Sequence, residues 1–75
     1  MREVEIRGDT IRLGQLLKLT GMVGSGGDAR ELLASGDVLV NGEPEERRGR
    51  QLHPGDVVAV GDVSLRVGPR PQPGR

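Results

Sequence analysis

Two short stretches of this chain carry the residue types best suited to chemistry. Ser25-Gly26-Gly27 stands at the start of a helical pattern and would present free backbone N–H groups there, a natural seat for a phosphate. The Asn41-Gly42 turn then leads into a dense arginine group, Arg47, Arg48 and Arg50. Guanidinium groups bond phosphate bidentately, and Gly49 among them lets the loop backbone lie close to a ligand. An anion seat followed by clustered arginines points to a small module that grips nucleic acid. The competing reading of the arginines is a solvated loop with internal ion pairs to Glu45 and Glu46, each weak at a surface. The competing reading of Ser25 to Gly27 is an ordinary helix cap.

Other chemistries find little support. His53 is the sole histidine and there is no cysteine, so no zinc site assembles and no disulfide framework exists. Beside Pro54, His53 reads as a surface turn residue. Asp28 and Glu31 suit a helix N-terminus better than an acid–base pair. No nucleophile elbow, Walker loop or dinucleotide fingerprint is present, so the chain is expected to be no enzyme and to use no cofactor. With no Phe, Tyr or Trp, base stacking on aromatic platforms is excluded, although arginine planes remain able to stack.

Seventy-five residues make one expected domain, with a core of Leu, Val, Ile and Ala. Formal net charge is zero, so the distribution of charge says more than its sum. Ten of the eleven basic residues are arginine, a bias that a GC-rich genome explains as well as phosphate recognition does. No apolar run approaches the roughly 20 residues of a membrane helix, and Met1 to Glu5 lacks a signal-peptide core. A soluble, cytoplasmic protein without membrane or small-molecule partners is the expectation.

The elements that must position these residues follow from periodicity. Val4 and Ile6 alternate with charges as a short strand. Asp9 or Thr10 caps a first helix expected over 11–20, with Leu13, Leu16, Leu17 and Thr20 on one face and Gly21 as its stop. On that helix Arg12 and Lys18 would lie about 120° apart, too far to address one ligand together. Gly14 in its interior is either a tolerated weak point or a place where another backbone comes close. Ser25 caps a second helix that buries Ala29, Leu32 and Leu33 and stops at Gly36. The two helices should form an αα-hairpin. Val38–Val40, the Asn41-Gly42 turn and an edge strand limited by Pro44 come next. Then follow a Pro54-Gly55 turn of type II and strands at 57–60 and 63–67. Residues 68–75, rich in Pro and Gly, read as a disordered tail after a domain at 1–67. The fold class is α+β, an αα-hairpin on a small, mainly antiparallel sheet.

This order of elements resembles the alpha-L RNA-binding domain, also called the S-four domain, over about residues 10–60. The likeness rests on Ile11-Arg12-Leu13, on Ser25 to Arg30, on Gly36 to Gly42 and on Leu52 to Val58. Leu17-Lys18, Gly26-Gly27, Asn41-Gly42 and Arg47 to Arg50 are similar to elements of small stand-alone bacterial proteins of the YbcJ-like kind. The resemblance implies binding of structured RNA, ribosomal RNA or tRNA, by a ribosome-associated monomer active in translation. Carried over by position, it implies contacts from Arg12, Lys18, Ser25, Gly26, Gly27, Arg30, Asn41, Arg47, Arg48 and Arg50. This chain departs from the pattern in Arg30 and His53, where relatives often carry Lys, and in the acidic Glu43, Glu45 and Glu46. Five to seven phosphate contacts would give a log K against log salt slope of roughly −4 to −6. The zero net charge and the acidic group also suit a second class, a protein-interaction or regulatory module using the same surface.

Overall fold

The computed structural model describes residues 1–68. Nine elements follow in order: β1 (Arg2–Glu5), β2 (Ile11–Arg12), α1 (Leu13–Leu19), α2 (Gly26–Ala34), β3 (Val38–Val40), β4 (Glu43–Pro44), β5 (Gln51–Leu52), β6 (Val57–Val60) and β7 (Val63–Gly68). Five strands make one sheet in the order β1-β7-β6-β3-β4. Its first pair, β1 with β7, is parallel, and the other three pairs are antiparallel. Strands β2 and β5 pair separately, Ile11 with Leu52 and Arg12 with Gln51.

Leucine and valine at alternate or helical spacing build the core. Leu13, Leu16 and Leu17 of α1 and Leu33 of α2 are fully or almost fully buried. They meet Val38, Val40, Val58, Leu65 and Val67 from the sheet, with Val4, Ile6 and Leu52 completing the cluster. Each such side chain contributes about 1.5–3 kcal/mol on leaving water. The helix pair packs on the sheet through this shared cluster.

Turn chemistry sets the register. Asn41 and Gly42 both have positive φ, 51° and 86°, as a two-residue mirror-image hairpin turn requires. The turn pairs Val40 with Glu43 and Leu39 with Pro44, and leaves β4 at the sheet edge, where the missing proline N–H costs nothing. Gly55, at φ 98°, forms the turn between His53 and Asp56.

Expectations at two places need correction. The first helix begins at Leu13, not at residue 11, because Ile11 and Arg12 are extended and pair with β5, so its N-cap is Arg12 and neither Asp9 nor Thr10 caps it. Gly68 is not part of a tail: it ends β7 opposite Glu5, where a methyl would come within 3.0 Å of the Glu3 Cγ. The remainder of the expected tail, 69–75, lies outside the described residues.

Candidate nucleic-acid interface

The loop from β4 to β5 folds around a carboxylate. Glu45 is only 8% exposed. Its Oε2 accepts from the Arg47 backbone N–H at 3.1 Å and from the Arg47 Nε at 3.2 Å. Its Oε1 accepts from Arg47 Nη2 at 3.2 Å and from Arg50 Nη1 at 2.9 Å. Hydrogen bonds from the Arg47 side chain, then from the Arg47 backbone and from Arg50, pull the Glu45 carboxyl down to about 2 against the opposing effect of burial. Of the two ion-pair partners weighed for the arginines, Glu45 is therefore engaged; no ion pair to Glu46 occurs among the described residues.

Backbone bonds seat the same loop on α1. The Leu13 N–H donates to the Arg50 carbonyl at 2.8 Å and the Gly14 N–H to the Arg48 carbonyl at 2.9 Å. These N–H groups open α1 and have no partner within the helix, so the loop acts as its cap. Gly14 permits this contact. A methyl there would lie 3.2 Å from the Arg48 Cβ and 3.4 Å from its carbonyl oxygen. Close backbone approach, not a tolerated weak point, accounts for this glycine.

Arg48 thus leaves the loop toward the helices. Its Nη1 comes within 3.5 Å of the place a Cβ would take on Gly26, at the start of α2. Arg12, Gly14, Lys18, Gly26, Arg48 and Gly49 line one open groove of about 630 Å³ between the helices and the loop. Arg12 and Lys18 share this groove, which corrects the expectation that they diverge. Arg12 has φ −77° and ψ 146°, so it precedes the helix and the helical-wheel angle does not apply to it. Among the described residues none of Arg12, Lys18, Arg30 or Arg48 forms an ion pair.

Ser25 caps α2 as expected, its Oγ accepting from the Asp28 N–H at 3.2 Å. Arg30 is exposed on α2 outside the groove lining. Asn41 lies at the β3–β4 turn, where its Oδ1 accepts from the Val57 N–H at 2.9 Å and its Nδ2 donates to Asp56 Oδ1 at 3.1 Å. Asp56 also accepts from the His53 N–H at 2.8 Å. Burial pushes the Asp56 carboxyl up, but these bonds and the nearby charges of His53 and Arg50 outweigh it and leave it below its usual value. The structure thus gathers Arg12, Lys18, Gly26 and Arg48, ties Arg47 and Arg50 to Glu45, and gives Asn41 a structural task. Gln15 also lines the groove and escaped the sequence reading; its signal was its place three residues before Lys18 on the same helix.

Among the described residues no helix is long and apolar enough to cross a membrane, and no group of His, Cys, Asp or Glu could hold a metal ion.

Comparison with known proteins adds an independent line. The sequence pattern described as the S4 domain matches residues 4–68. A probable ribosome maturation protein, RlbA, of Bacillus subtilis (strain 168) is 49% identical over 57 residues, covering 76% of this chain and 80% of that protein. The small ribosomal subunit protein uS4m of Schizosaccharomyces pombe (strain 972 / ATCC 24843) is 54% identical over 37 residues, 49% of this chain but only 11% of that protein.

Proposed function

Since this chain belongs to the S4 domain family, we propose that it binds structured RNA of the ribosome through the groove between its helices and the arginine loop. In this reading the helix pair is an αα-hairpin of the alpha-L type, and the chain acts as a single, monomeric, non-catalytic cytoplasmic module without a cofactor or small-molecule substrate. Its role is accessory to ribosome maturation or translation, which the likeness to a probable ribosome maturation protein and to a ribosomal subunit protein supports.

The observation that carries the reading is the convergence on the groove of cations that form no ion pair among the described residues. Arg12, Lys18 and Arg48 reach it from a strand end, a helix and a loop, and the Arg48 guanidinium lies beside the positive end of α2. Like charge gathered at a helix N-terminus is unfavourable unless an anion lies between. The Gly26 and Gly27 N–H groups, the Ser25 hydroxyl and Arg30 would extend the same phosphate track along α2. Asn41, Arg47 and Arg50 act behind it, shaping the turn and loop. Counting Arg12, Lys18, Arg30, Arg48 and the start of α2, four or five phosphate contacts give a salt slope of roughly −3 to −4, shallower than the bare arginine count suggests.

The test is fluorescence anisotropy of a labelled ribosomal RNA hairpin with the wild-type chain and with Arg12→Gln/Lys18→Gln/Arg48→Gln. At 0.15 M salt each phosphate contact is worth about 0.7 log unit, so the triple variant should bind roughly 100-fold more weakly. Equal affinity of the two proteins would transfer the charged surface to a protein partner.

A further inference from the structure

Glu45 faces the arginine loop from beneath and is the most enclosed charged side chain among the described residues. Its two oxygens divide their bonds between Arg47 and Arg50, and none goes to Arg48, the arginine between them. The Arg47 fork turns its Nε and Nη2 edge inward to Glu45, although 77% of that side chain is exposed. Arg50 is drawn inward from the opposite end of the loop. With Arg47 and Arg50 both tied to Glu45, and with the Arg48 carbonyl bonded to the Gly14 N–H, the exposed Arg48 side chain lies over the helix groove.

We propose that Glu45 is a specificity-determining positioning residue, which ties down the Arg47 and Arg50 guanidinium groups and leaves Arg48 as the loop's single phosphate-reading arginine. The inference rests on the RNA-binding reading above and deepens it. A loop of three free guanidinium groups would attach to any polyanion, since phosphate contacts carry no sequence information and flexible cations follow any backbone. A loop with one directed guanidinium rewards only an RNA whose phosphate fits the groove. The carboxylate therefore trades general affinity for discrimination. In this arrangement the acidic residue within the loop is part of the recognition device, not a cancellation of it.

The experiment measures binding of the full chain to a folded ribosomal RNA hairpin and to a single-stranded RNA of equal length, across a salt series. The variants are R47Q, R48Q, E45Q and E45Q/R47Q, with circular dichroism to establish folding. R48Q should flatten the salt slope for the hairpin by about 1. R47Q should leave that slope unchanged. E45Q should steepen the slope by about 1 for both RNAs and reduce the preference for the hairpin at least threefold, and R47Q should then flatten it in the E45Q background. A general structural role for Glu45 would lower affinity without steepening the slope. Equal slopes for R47Q and R48Q would overturn the proposal, and this comparison stands even if E45Q does not fold, because both arginines are exposed. Wild-type chain that binds neither RNA would instead overturn the RNA reading, and the proposal with it.

Discussion

Gly14→Ala separates the fold from the interface more sharply than any charge reversal. In a helix, Ala in place of Gly favours folding by up to about 1 kcal/mol. Here the new methyl would meet the Arg48 Cβ at 3.2 Å and its carbonyl oxygen at 3.4 Å. The loop must move by a few tenths of an ångström, which stretches the 2.9 Å bond from the Gly14 N–H to the Arg48 carbonyl. Crowding of this kind costs about 1–3 kcal/mol. The two effects partly cancel, so G14A should lose between nothing and about 2 kcal/mol of stability. Arg48 shifts with the loop, and hairpin RNA affinity should fall by up to about fivefold, the upper limit corresponding to loss of one phosphate contact at 0.15 M salt. Urea denaturation followed by circular dichroism gives the first quantity and anisotropy the second. A G14A protein stabilised by the full helix-propensity gain, with unchanged RNA affinity, would refute the close seating of the loop on α1.

Other perturbations address the supports of the site. The Glu45 carboxyl is depressed from 4.5 to about 2, so its contribution to stability is complete above about pH 5 and disappears as pH falls toward 2. The urea midpoint of the wild type should fall across that window, and E45Q should show a flatter profile. Asn41→Ala removes two side-chain bonds and places alanine at φ 51°, an expected loss of about 2–3 kcal/mol in chemical denaturation. Asn41→Gly should recover the backbone part only. Ser25→Ala should cost about 1 kcal/mol through loss of the α2 cap, read as a lower thermal midpoint.

Much of the framework was legible because short-range rules govern it. Asn41-Gly42 demanded a two-residue turn, Pro44 an edge strand, and Ser25 with Gly36 the bounds of α2; each rule acts over a few residues. The start of α1 was misplaced for the opposite reason. Whether Ile11 and Arg12 extend or coil depends on pairing with Leu52 and Gln51, forty residues away, which no local propensity reports. That one boundary also misdirected Arg12, since a residue outside the helix obeys no wheel. The parallel pairing of β1 with β7 was equally invisible, being a contact between the two ends of the described chain. In the site, residue types identified the arginines but not their division of labour. The bonds of Glu45 depend on its burial beneath the loop, and a row of charges in sequence gives no sign of which member turns inward.

The central claim, that the groove formed by α1, α2 and the arginine loop receives folded RNA, is tested most directly by an amide NMR titration. The purified chain would receive a ribosomal RNA hairpin, then a single-stranded control, each at two salt concentrations. Shifts should centre on Arg12 to Lys18, Ser25 to Arg30 and Arg47 to Arg50, be larger for the hairpin and weaken with salt. Shifts scattered over the β1–β7 edge, or none at all, would contradict the account.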